Sequence, residues 1–535
     1  MKYLGIDFGT IWTKAAVYDT DTGRGVLVNM EDSVAANTDF ELYGGQYACP
    51  TAVFFDKANN VYYTGKKAVR SRNQDPENYH DKFKPFLSGP EAGRWVADVA
   101  YVLKNVHDRA CQTAKVNSFN KVVLTIPSST ICNDYRWNAM MSAAHLAQID
   151  YNGIEIIKEP EAAAYSIIKE KSTINNNDKF LVYDLGGGTF DPALLQFYNG
   201  TLRVIGERDS AIPRGKNIGG IYIDALINKD LVQMTPFFQE VVDLLMSMPM
   251  DEYGRPIRNE TVSIRDYVAA MRDVDKLSQI PIDAKHQLST GITEYHKQEF
   301  GLFDYHLSLD DYNEMIEPLI DDTIQCCDVL LADYGWEWKD IKKVFLVGGS
   351  SVIPLIKKKL VRKKTIEGAM FEIPSFDSYD YLYAVAKGAA MFEVLKPTPA
   401  QRLQFGLQCL NNKEYDEAEF QFTEGSQYYW LGLMEYEGLG RRKSYRKAFE
   451  IFSMLNNDPL CLFMVALMYF RGEGVKKNDT NALEYAKKFF GLGFNNKTVK
   501  DKASVLYNVL VGMASQTQIE MVYNSKFHLL WNIQR

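Results

Sequence analysis

The sequence contains few cysteines, and no two of them are spaced as a CxxC pair. The seven cysteines of this 535-residue chain are scattered along it, which is typical of free thiols in a reducing compartment and argues against a cysteine-bound metal. Long apolar runs are also missing, since no stretch reaches the ~18 consecutive apolar residues of a membrane helix. Asp7 interrupts the start of the chain, where a secretory leader would be apolar. We therefore expect a cytoplasmic protein with no membrane contact.

A strong charge of one sign is absent too. The net charge is −8, and residues 396–535 carry 18 basic and 14 acidic side chains, so the acidic excess lies in the front of the chain. The basic cluster RRKSYRK, Arg441 to Lys447, is typical of a solvated helix start. We therefore expect no nucleic-acid binding. A hydrophobic content of 46% and an aromatic content of 13% indicate a folded chain, long enough for two or more domains.

The most informative stretch is YDLGGGTFD, Tyr183 to Asp191. A short apolar run, typical of a buried strand, ends here in Asp184. Glycines can adopt positive φ and bring backbone N–H groups close to a phosphate, and a carboxylate at a strand's end can face a hydrated Mg²⁺. The stretch therefore predicts a phosphate-binding turn. Its candidate phosphate contacts are Gly186, Gly187, Gly188 and Thr189.

Two more apolar stretches end in glycine turns. YLGIDFGTIWTK, near the start, contains Asp7, Gly9 and Thr10 in the same order of acid, glycine and threonine. KVFLVGGSSVIP, residues 343–354, contains a third turn. The first two turns predict two phosphate-binding lobes, and the third suits the other end of a nucleotide. The candidate contacts of the third turn are Gly348, Gly349 and Ser350.

Three such turns in this order resemble the actin-like ATPase superfamily, and the motifs around them resemble its heat-shock protein 70 chaperones. CPTAVFFD with YTGKKA, IIKEPEAAAYS and NIGGIYID all have counterparts in that family. The resemblance covers about residues 1–395. It implies a two-lobed α/β fold with ribonuclease H-like lobes, about 1–180 and 181–395, and it implies ATP or ADP as ligand.

The resemblance also implies roles for single residues. Lys84, with Lys82 as a close alternative, would lie near the transferred phosphate, and Glu159 would orient the attacking water together with Thr189. Asp7 and Asp184 would hold Mg²⁺ through water. Gly219 and Gly220 would lead into the lobe that grips the adenosine. The catalytic residues implied are thus Lys84, Glu159, Asp184 and Thr189.

The adenosine end of the nucleotide site departs from the family. The family's helix at this end carries a glutamate and basic residues before a leucine and a serine. In this chain, an alignment on Leu277 and Ser278 places Met271, Val274 and Asp275 at the positions of the glutamate and the basic residues. Val352 stands where the family has an arginine against the adenine, and Ile11 replaces a hydroxyl in the first turn. Specificity for ATP is therefore less secure than phosphate binding. These positions are Met271, Val274, Asp275, Val352 and Ile11.

The back of the chain reads as helical throughout. A proline break at residues 396–401 predicts a linker, and 402–535 contain an internal repeat in which Leu433 and Leu467, and likewise Gly440 and Gly474, are 34 residues apart. This period predicts stacked helix pairs. The pattern resembles Sel-one-like relatives of tetratricopeptide repeats, which take the place of the family's usual peptide-binding domain and would bind a protein partner.

Together these features predict a slow ATPase with chaperone-like function, in which nucleotide binding changes what the repeats present to a partner. Co-chaperones are further candidate partners. One alternative is a pseudo-ATPase scaffold for protein interactions. A second is a small-molecule kinase, although the sequence shows no acid comparable to a kinase base, and a third is a filament-forming relative of actin.

Overall fold

The structure is a computed structural model that divides into two compact units, Met1–Lys396 and Pro397–Arg535. Among the described helices, none has both the length and the hydropathy needed to span a membrane. Disulfides are absent among the six cysteines that the structure describes. The described residues are 1–30, 45–72, 74–127, 134–149, 152–168, 174–198, 201–207, 218–234, 243–244, 247–248, 262–263, 279–299, 303–373, 380–494 and 496–524.

The first unit combines sheets with covering helices. Its strands are β1 (Lys2–Phe8), β2 (Trp12–Asp19), β3 (Arg24–Leu27), β4 (Ala48–Pro50), β5 (Ala52–Asp56), β6 (Val61–Thr64), β7 (Tyr79–Asp81), β8 (Lys121–Ile126), β9 (Ile154–Lys158), β10 (Lys179–Asp184), β11 (Ala193–Tyr198), β12 (Thr201–Glu207), β13 (Glu294–Glu299), β14 (Phe303–Ser308) and β15 (Ile341–Val347). Its helices are α1 (Gly65–Ser71), α2 (Val96–Ala114), α3 (Tyr135–Leu146), α4 (Glu159–Ile168), α5 (Gly220–Met234), α6 (Leu309–Asp333), α7 (Pro354–Ile366) and α8 (Asp380–Leu395). Residues 279–289 are also helical.

Strand β1 lies in the middle of the first large sheet, whose order is β3-β2-β1-β8-β9, with β4 paired to β2. It runs antiparallel to β2 and parallel to β8. Its side chains Leu4, Ile6 and Phe8 are almost fully buried, as expected for a central strand whose sheet is covered on both faces. A separate three-stranded sheet, β6-β5-β7, belongs to the same half of the unit.

The second large sheet repeats this arrangement around β10. Its order is β12-β11-β10-β15, with β10 antiparallel to β11 and parallel to β15. Both central strands therefore carry an acid near their ends, Asp7 in β1 and Asp184 in β10, and both lead through a glycine turn into an antiparallel neighbour. The predicted fold class, two α/β lobes followed by an all-α module, is confirmed.

Helix α8 packs on β1 and on helix α4 with unusually little space between the backbones. A Cβ atom at Gly388 would lie 1.6 Å from the carbonyl oxygen of Ala162, and a Cβ atom at Gly5 would lie 2.2 Å from the backbone nitrogen of Ala390. The alanines of the EPEAAA motif are fully buried in this contact. The small residues of the motif therefore set the distance between the elements.

The second unit consists of successive helices, each packed against its neighbour in the sequence. They are α9 (Pro399–Asn411), α10 (Tyr415–Glu424), α11 (Tyr428–Glu437), α12 (Tyr445–Phe452), α13 (Pro459–Arg471), α14 (Asp479–Gly491), α15 (Lys497–Leu510) and α16 (Gln516–Tyr523). Helix α9 begins inside the stretch predicted as a linker, because Thr398 and Gln401 form a capping box around Pro399.

The glycines of the 34-residue repeat end helices and form turns. Gly438 and Gly472 cap α11 and α13 with φ values of 72° and 74°, a conformation that favours glycine. A Cβ atom at Gly474, where φ is 74°, would lie 2.2 Å from the Tyr445 carbonyl oxygen. The close packing of α11 against α12 depends on Gly432, where a Cβ atom would lie 2.4 Å from the Phe452 ring.

We expect Gly388→Ala to destabilise the first unit by at least about 2 kcal/mol, because the new methyl group forces α8 away from α4. Gly93→Ala is the matched control, since a Cβ atom at Gly93 meets no atom within 4 Å, and it should change stability by no more than about 0.5 kcal/mol. Urea unfolding of the full chain, followed by tryptophan fluorescence, measures both. Equal midpoints for the two variants would contradict the proposed contact.

Candidate functional site

The first two glycine turns face each other in the first unit. A Cβ atom at Gly187 would lie 2.8 Å from Cγ1 of Ile11, and one at Gly188 would lie 3.5 Å from the hydroxyl oxygen of Thr10. The loop after β1 and the loop after β10 thus share one site, although about 175 residues separate them along the chain. Ile11, where the resemblance implies a hydroxyl, packs on the second turn instead.

Four buried carboxylates surround the ends of β1 and β10. Each is exposed by less than a tenth of its surface. The Lys14 ammonium lies 3.3 Å from the Asp7 carboxylate, and the Lys84 ammonium pairs with the Glu159 carboxylate. The carboxylates therefore outnumber the lysines paired with them. The four are Asp7, Glu159, Asp184 and Asp191.

The pKa of Asp184 is shifted by this environment. Burial raises its pKa well above the usual value, and the nearby charges of Glu159, Asp191 and Asp7 raise it further, while Lys14 opposes the shift. A cation placed among these groups would favour the ionised carboxylate. The residues present therefore fit a hydrated Mg²⁺, which binds proteins through one or two carboxylates and keeps several waters.

Lys84 and Glu159 form a buried ion pair. The Lys84 ammonium donates to Oε1 of Glu159 at 2.6 Å. Lys84 opens the short 3-10 turn Lys84–Ser88, and Glu159 is the first residue of α4, where an acid is favoured by the helix dipole. Lys82, the close alternative in the sequence, is exposed. The structure thus brings Lys84, and not Lys82, to Glu159.

Thr189 is held from within its own turn. Its hydroxyl donates to Oδ2 of Asp191 at 2.6 Å, and the backbone N–H of Asp191 donates to the Asp184 carbonyl at 2.8 Å. Gly186 N–H closes the turn by donating to the Thr189 carbonyl at 2.9 Å. Asp191 therefore acts as a support for the turn, and it fixes the direction of the Thr189 hydroxyl.

The remaining predicted glycines join the same backbone network. Gly220 N–H donates to the Gly186 carbonyl at 3.0 Å, and a Cβ atom at Gly219 would lie 2.4 Å from the Gly188 carbonyl carbon. Only glycine allows this approach. The pair at 219–220 therefore packs directly on the second turn.

The third turn is tied to the second by hydrogen bonds. Ser350 donates to the Leu185 carbonyl through its N–H at 3.1 Å and to the Gly186 carbonyl through its hydroxyl at 3.2 Å. Gly348 has φ of 84° and lies against Asp184, and Gly349 starts the 3-10 turn that follows. In the first turn, the Gly9 carbonyl accepts a hydrogen bond from the Thr51 hydroxyl at 2.8 Å. Every residue predicted to contact phosphate therefore belongs to one of these contacting turns.

Sequence reasoning missed Lys285, which lies beside the glycine pair. Its ammonium is 2.6 Å from Asp224 and donates to the Gly220 carbonyl at 3.1 Å. Burial lowers the pKa of Lys285 and raises the pKa of Asp224, and the charge of each opposes the shift of the other. The Ser289 hydroxyl, one helical turn later, donates to the Lys285 carbonyl at 2.6 Å.

A second leucine–serine pair in the sequence could have identified this helix. Leu288 and Ser289 follow Lys285 and His286, which is the order of basic residues, leucine and serine expected at the adenosine end. Burial and the charge of Lys285 lower the pKa of His286 to about 3, so its ring is neutral near pH 7. The alignment on Leu277 and Ser278 points to positions that lie outside the described residues, namely Met271, Val274 and Asp275. Val352 ends the third turn and is half-buried.

Two family models match the chain. A model described as Hsp70 protein matches residues 97–405, and a model described as Sel1 repeat matches residues 428–455 and 459–493. The two repeat matches correspond to the helix pairs α11–α12 and α13–α14. The family resemblance of the front and the repeats of the back are thereby confirmed.

A curated relative shows the same kinship. The chain is 25% identical over 411 residues to a mitochondrial-type heat shock protein 70 of Encephalitozoon hellem. The alignment covers 72% of this chain and 62% of the relative. The chain therefore spans less than two thirds of that relative's length.

We expect Asp184→Asn to stabilise the protein at neutral pH when no ligand is bound. The raised pKa means that the native carboxyl keeps its proton to a higher pH than the same group in the unfolded chain. Wild-type stability therefore falls as the pH rises above the ordinary carboxyl value near 3.8, and the uncharged amide escapes this loss. Thermal midpoints measured from pH 4 to pH 8 give the comparison.

The exposed variant Glu314→Gln is the control for this series, because its carboxylate faces solvent on α6. Its midpoint should follow that of the wild type at each pH. Mg²⁺ should reduce the difference in thermal midpoint between Asp184→Asn and the wild type, because the ion stabilises the ionised carboxylate of the wild type. A gain for Asp184→Asn that is the same at all pH values would contradict a shifted pKa.

Proposed function

The chain belongs to the Hsp70 protein family, and we propose on that premise that it binds ATP with Mg²⁺ and hydrolyses it slowly. The observation that carries the proposal is the buried Lys84–Glu159 pair beside Asp7 and Asp184. Phosphoryl transfer to water needs neutralised phosphate oxygens and a positioned water, and little covalent chemistry from the protein. These residue types supply both needs.

The glycine turns would bind the phosphates. Backbone N–H groups of the first and second turns, together with the Thr10 hydroxyl, would donate to phosphate oxygens. Contacts between the turns, such as that of Gly188 with Thr10, support a single phosphate site. Asp7 and Asp184 would hold Mg²⁺ through its water shell, and the ion would supply positive charge to the β- and γ-phosphate oxygens.

Glu159 would orient the attacking water, and Lys84 would hold Glu159. A lysine ammonium has three donors, so Lys84 can keep its bond to Glu159 and also donate to the transferred phosphate. The Thr189 hydroxyl, fixed by Asp191, would contribute to the same water site. Turnover would be slow because few groups stabilise the transition state.

At the other end of the nucleotide, we propose that the helical stretch 279–289 takes the adenosine. Lys285 and Ser289 are buried beside the glycine pair, and they match the family order better than the alignment on Leu277. The alignment on Leu277 leaves the adenosine end without a basic residue, whereas the placement on residues 279–289 supplies Lys285. Val352 still leaves the site without the family's arginine, so stacking would contribute more of the affinity for the base.

We propose that the helical repeats bind a protein partner, with co-chaperones as further candidates, and that nucleotide state changes what they present. The Sel1 matches support a protein-binding module.

The absence of disulfides among the described cysteines fits a reducing compartment, and we propose the cytoplasm.

The pseudo-ATPase scaffold remains the second candidate, and two observations favour it. Ile11 fills space on the second turn, and Val352 stands where the family has an arginine. Such a scaffold would bind nucleotide weakly or not at all. The kinase and filament alternatives gain no support from the described residues.

We expect purified protein to release phosphate from Mg-ATP, and Glu159→Gln to lose at least about 10²-fold of that rate while keeping its affinity for ATP. The reason is that Glu159 would act on the water and not on the nucleotide. Asp184→Asn should lose both turnover and Mg²⁺-dependent binding. Steady-state phosphate release and binding of labelled ATP and GTP measure these effects.

Glu314→Gln should match the wild type in this assay, because its side chain is exposed on α6. Binding without turnover in the wild type would favour the scaffold. Neither binding nor turnover would refute the ATPase proposal.

We expect Lys285→Gln to weaken ATP and adenosine binding by at least about tenfold and to leave kcat within about twofold, because Lys285 would contact the adenosine and not the transferred phosphate. Isothermal titration with both ligands measures the affinities. The double variant Lys285→Gln/Asp224→Asn removes the unpaired carboxylate as a cause of misfolding. Recovery of adenosine affinity in the double variant would show that Lys285 acts only by neutralising Asp224.

A further inference from the structure

The ribbon formed by β13 and β14 has one buried face and one polar face. Tyr295, Tyr305 and Leu307 alternate inward and are almost fully buried. His296, Asp304 and His306 belong to the opposite face and are exposed. Two of the chain's seven histidines belong to this outer face.

The two histidines are direct cross-strand partners. His296 lies opposite His306 in the register, and their rings stack with centroids 3.9 Å apart and planes 13° apart. Nε2 of His296 is 2.5 Å, and Nε2 of His306 is 3.2 Å, from the same oxygen of Asp304. Three potential metal-binding atoms therefore converge within 4.8 Å of one another.

The surroundings of His306 favour a particular use of its nitrogens. Glu294 lies 3.6 Å from Nδ1 of His306, on the side of the ring away from Asp304. With an ion bound at Nε2, the Nδ1–H group would donate to Glu294, as the second ring nitrogen of a metal-bound histidine commonly donates to a carboxylate. Two ring nitrogens facing one carboxylate oxygen need either their own protons or a cation between them.

We propose that His296, Asp304 and His306 bind a divalent transition-metal ion of the Zn²⁺ class, with water in the remaining positions. Two imidazole nitrogens and one carboxylate oxygen are typical ligands of Zn²⁺, whereas Mg²⁺ prefers oxygen ligands alone. Among the residues that the structure describes, this is the one group of three or more such side chains close enough to share an ion. None of the three belongs to the nucleotide site.

The backbone that carries these ligands is held in place from the buried face. The Tyr305 hydroxyl donates to Oδ2 of Asp230 on α5 at 2.8 Å, and Ser308 at the end of β14 caps α6. A ligand set on a supported ribbon loses little conformational freedom when it binds an ion. The three donors therefore need only small side-chain adjustments.

The test is equilibrium dialysis of the full-length protein against Zn²⁺, after chelator treatment and in the presence of excess Mg²⁺. We expect one Zn²⁺ to be retained per chain, and His296→Asn, His306→Asn and Asp304→Asn each to weaken its retention by at least about tenfold. All three side chains are exposed, so the variants should fold, which circular dichroism checks. His145→Asn, on the exposed surface of α3, is the matched control and should bind as the wild type does.

Cobalt substitution separates this site from a cysteine site. Co²⁺ bound by nitrogen and oxygen should give visible d–d bands without the thiolate charge-transfer band of a cysteine ligand. Cys111, whose sulfur lies 3.8 Å from Nδ1 of His107, is the competing donor, and Cys111→Ser should leave binding unchanged. The proposal is overturned if no Zn²⁺ is retained, if the three ribbon variants bind as the wild type does, or if binding depends on Cys111.

Discussion

The burial of four carboxylates around the ends of β1 and β10 is the constraint on which the first unit depends. Charges of one sign in a dry site repel one another, and each loses its hydration. Lys14 and Lys84 offset part of this cost, at 3.3 Å from Asp7 and 2.6 Å from Glu159. Burial and the neighbouring acids still raise the pKa of Asp184, so the two lysines do not offset the whole cost. A cation among these carboxylates would offset the repulsion that the lysines leave.

The glycine and alanine contacts hold this site together. Strand β1 passes under α8 at Gly5, and α4, which begins with Glu159, passes beside α8 at Gly388. The spacing of these elements fixes where Asp7 and Glu159 stand, because each acid is covalently part of an element packed at backbone distance. Small side chains thus determine the geometry of the charged ones. In the repeats, Gly432 likewise allows close packing, whereas Gly438 and Gly472 end helices with positive φ.

The proposed nucleotide site and the histidine ribbon differ in how far their side chains are buried. The acids of the nucleotide site are buried, so their interactions are strong and their number matters. His296 and His306 are exposed, so their convergence on Asp304 depends on cross-strand register and not on exclusion of water. A rigid backbone supports both. In the ribbon, buried tyrosines supply that rigidity, and in the nucleotide site the hydrogen bonds among the glycine turns supply it.

The sequence by itself determined the acid–glycine–threonine turns, the two lobes that contain them and the helical repeats, because each depends on residues close together in the chain or on a regular period. Only the tertiary structure decided which distant side chains meet. It paired Lys84 rather than Lys82 with Glu159, added Lys14 beside Asp7, and placed Lys285 beside Gly220. It also set His296 against His306. These pairings depend on packing distances of a few ångströms between elements that are remote in sequence, and local pattern carries no information about such distances.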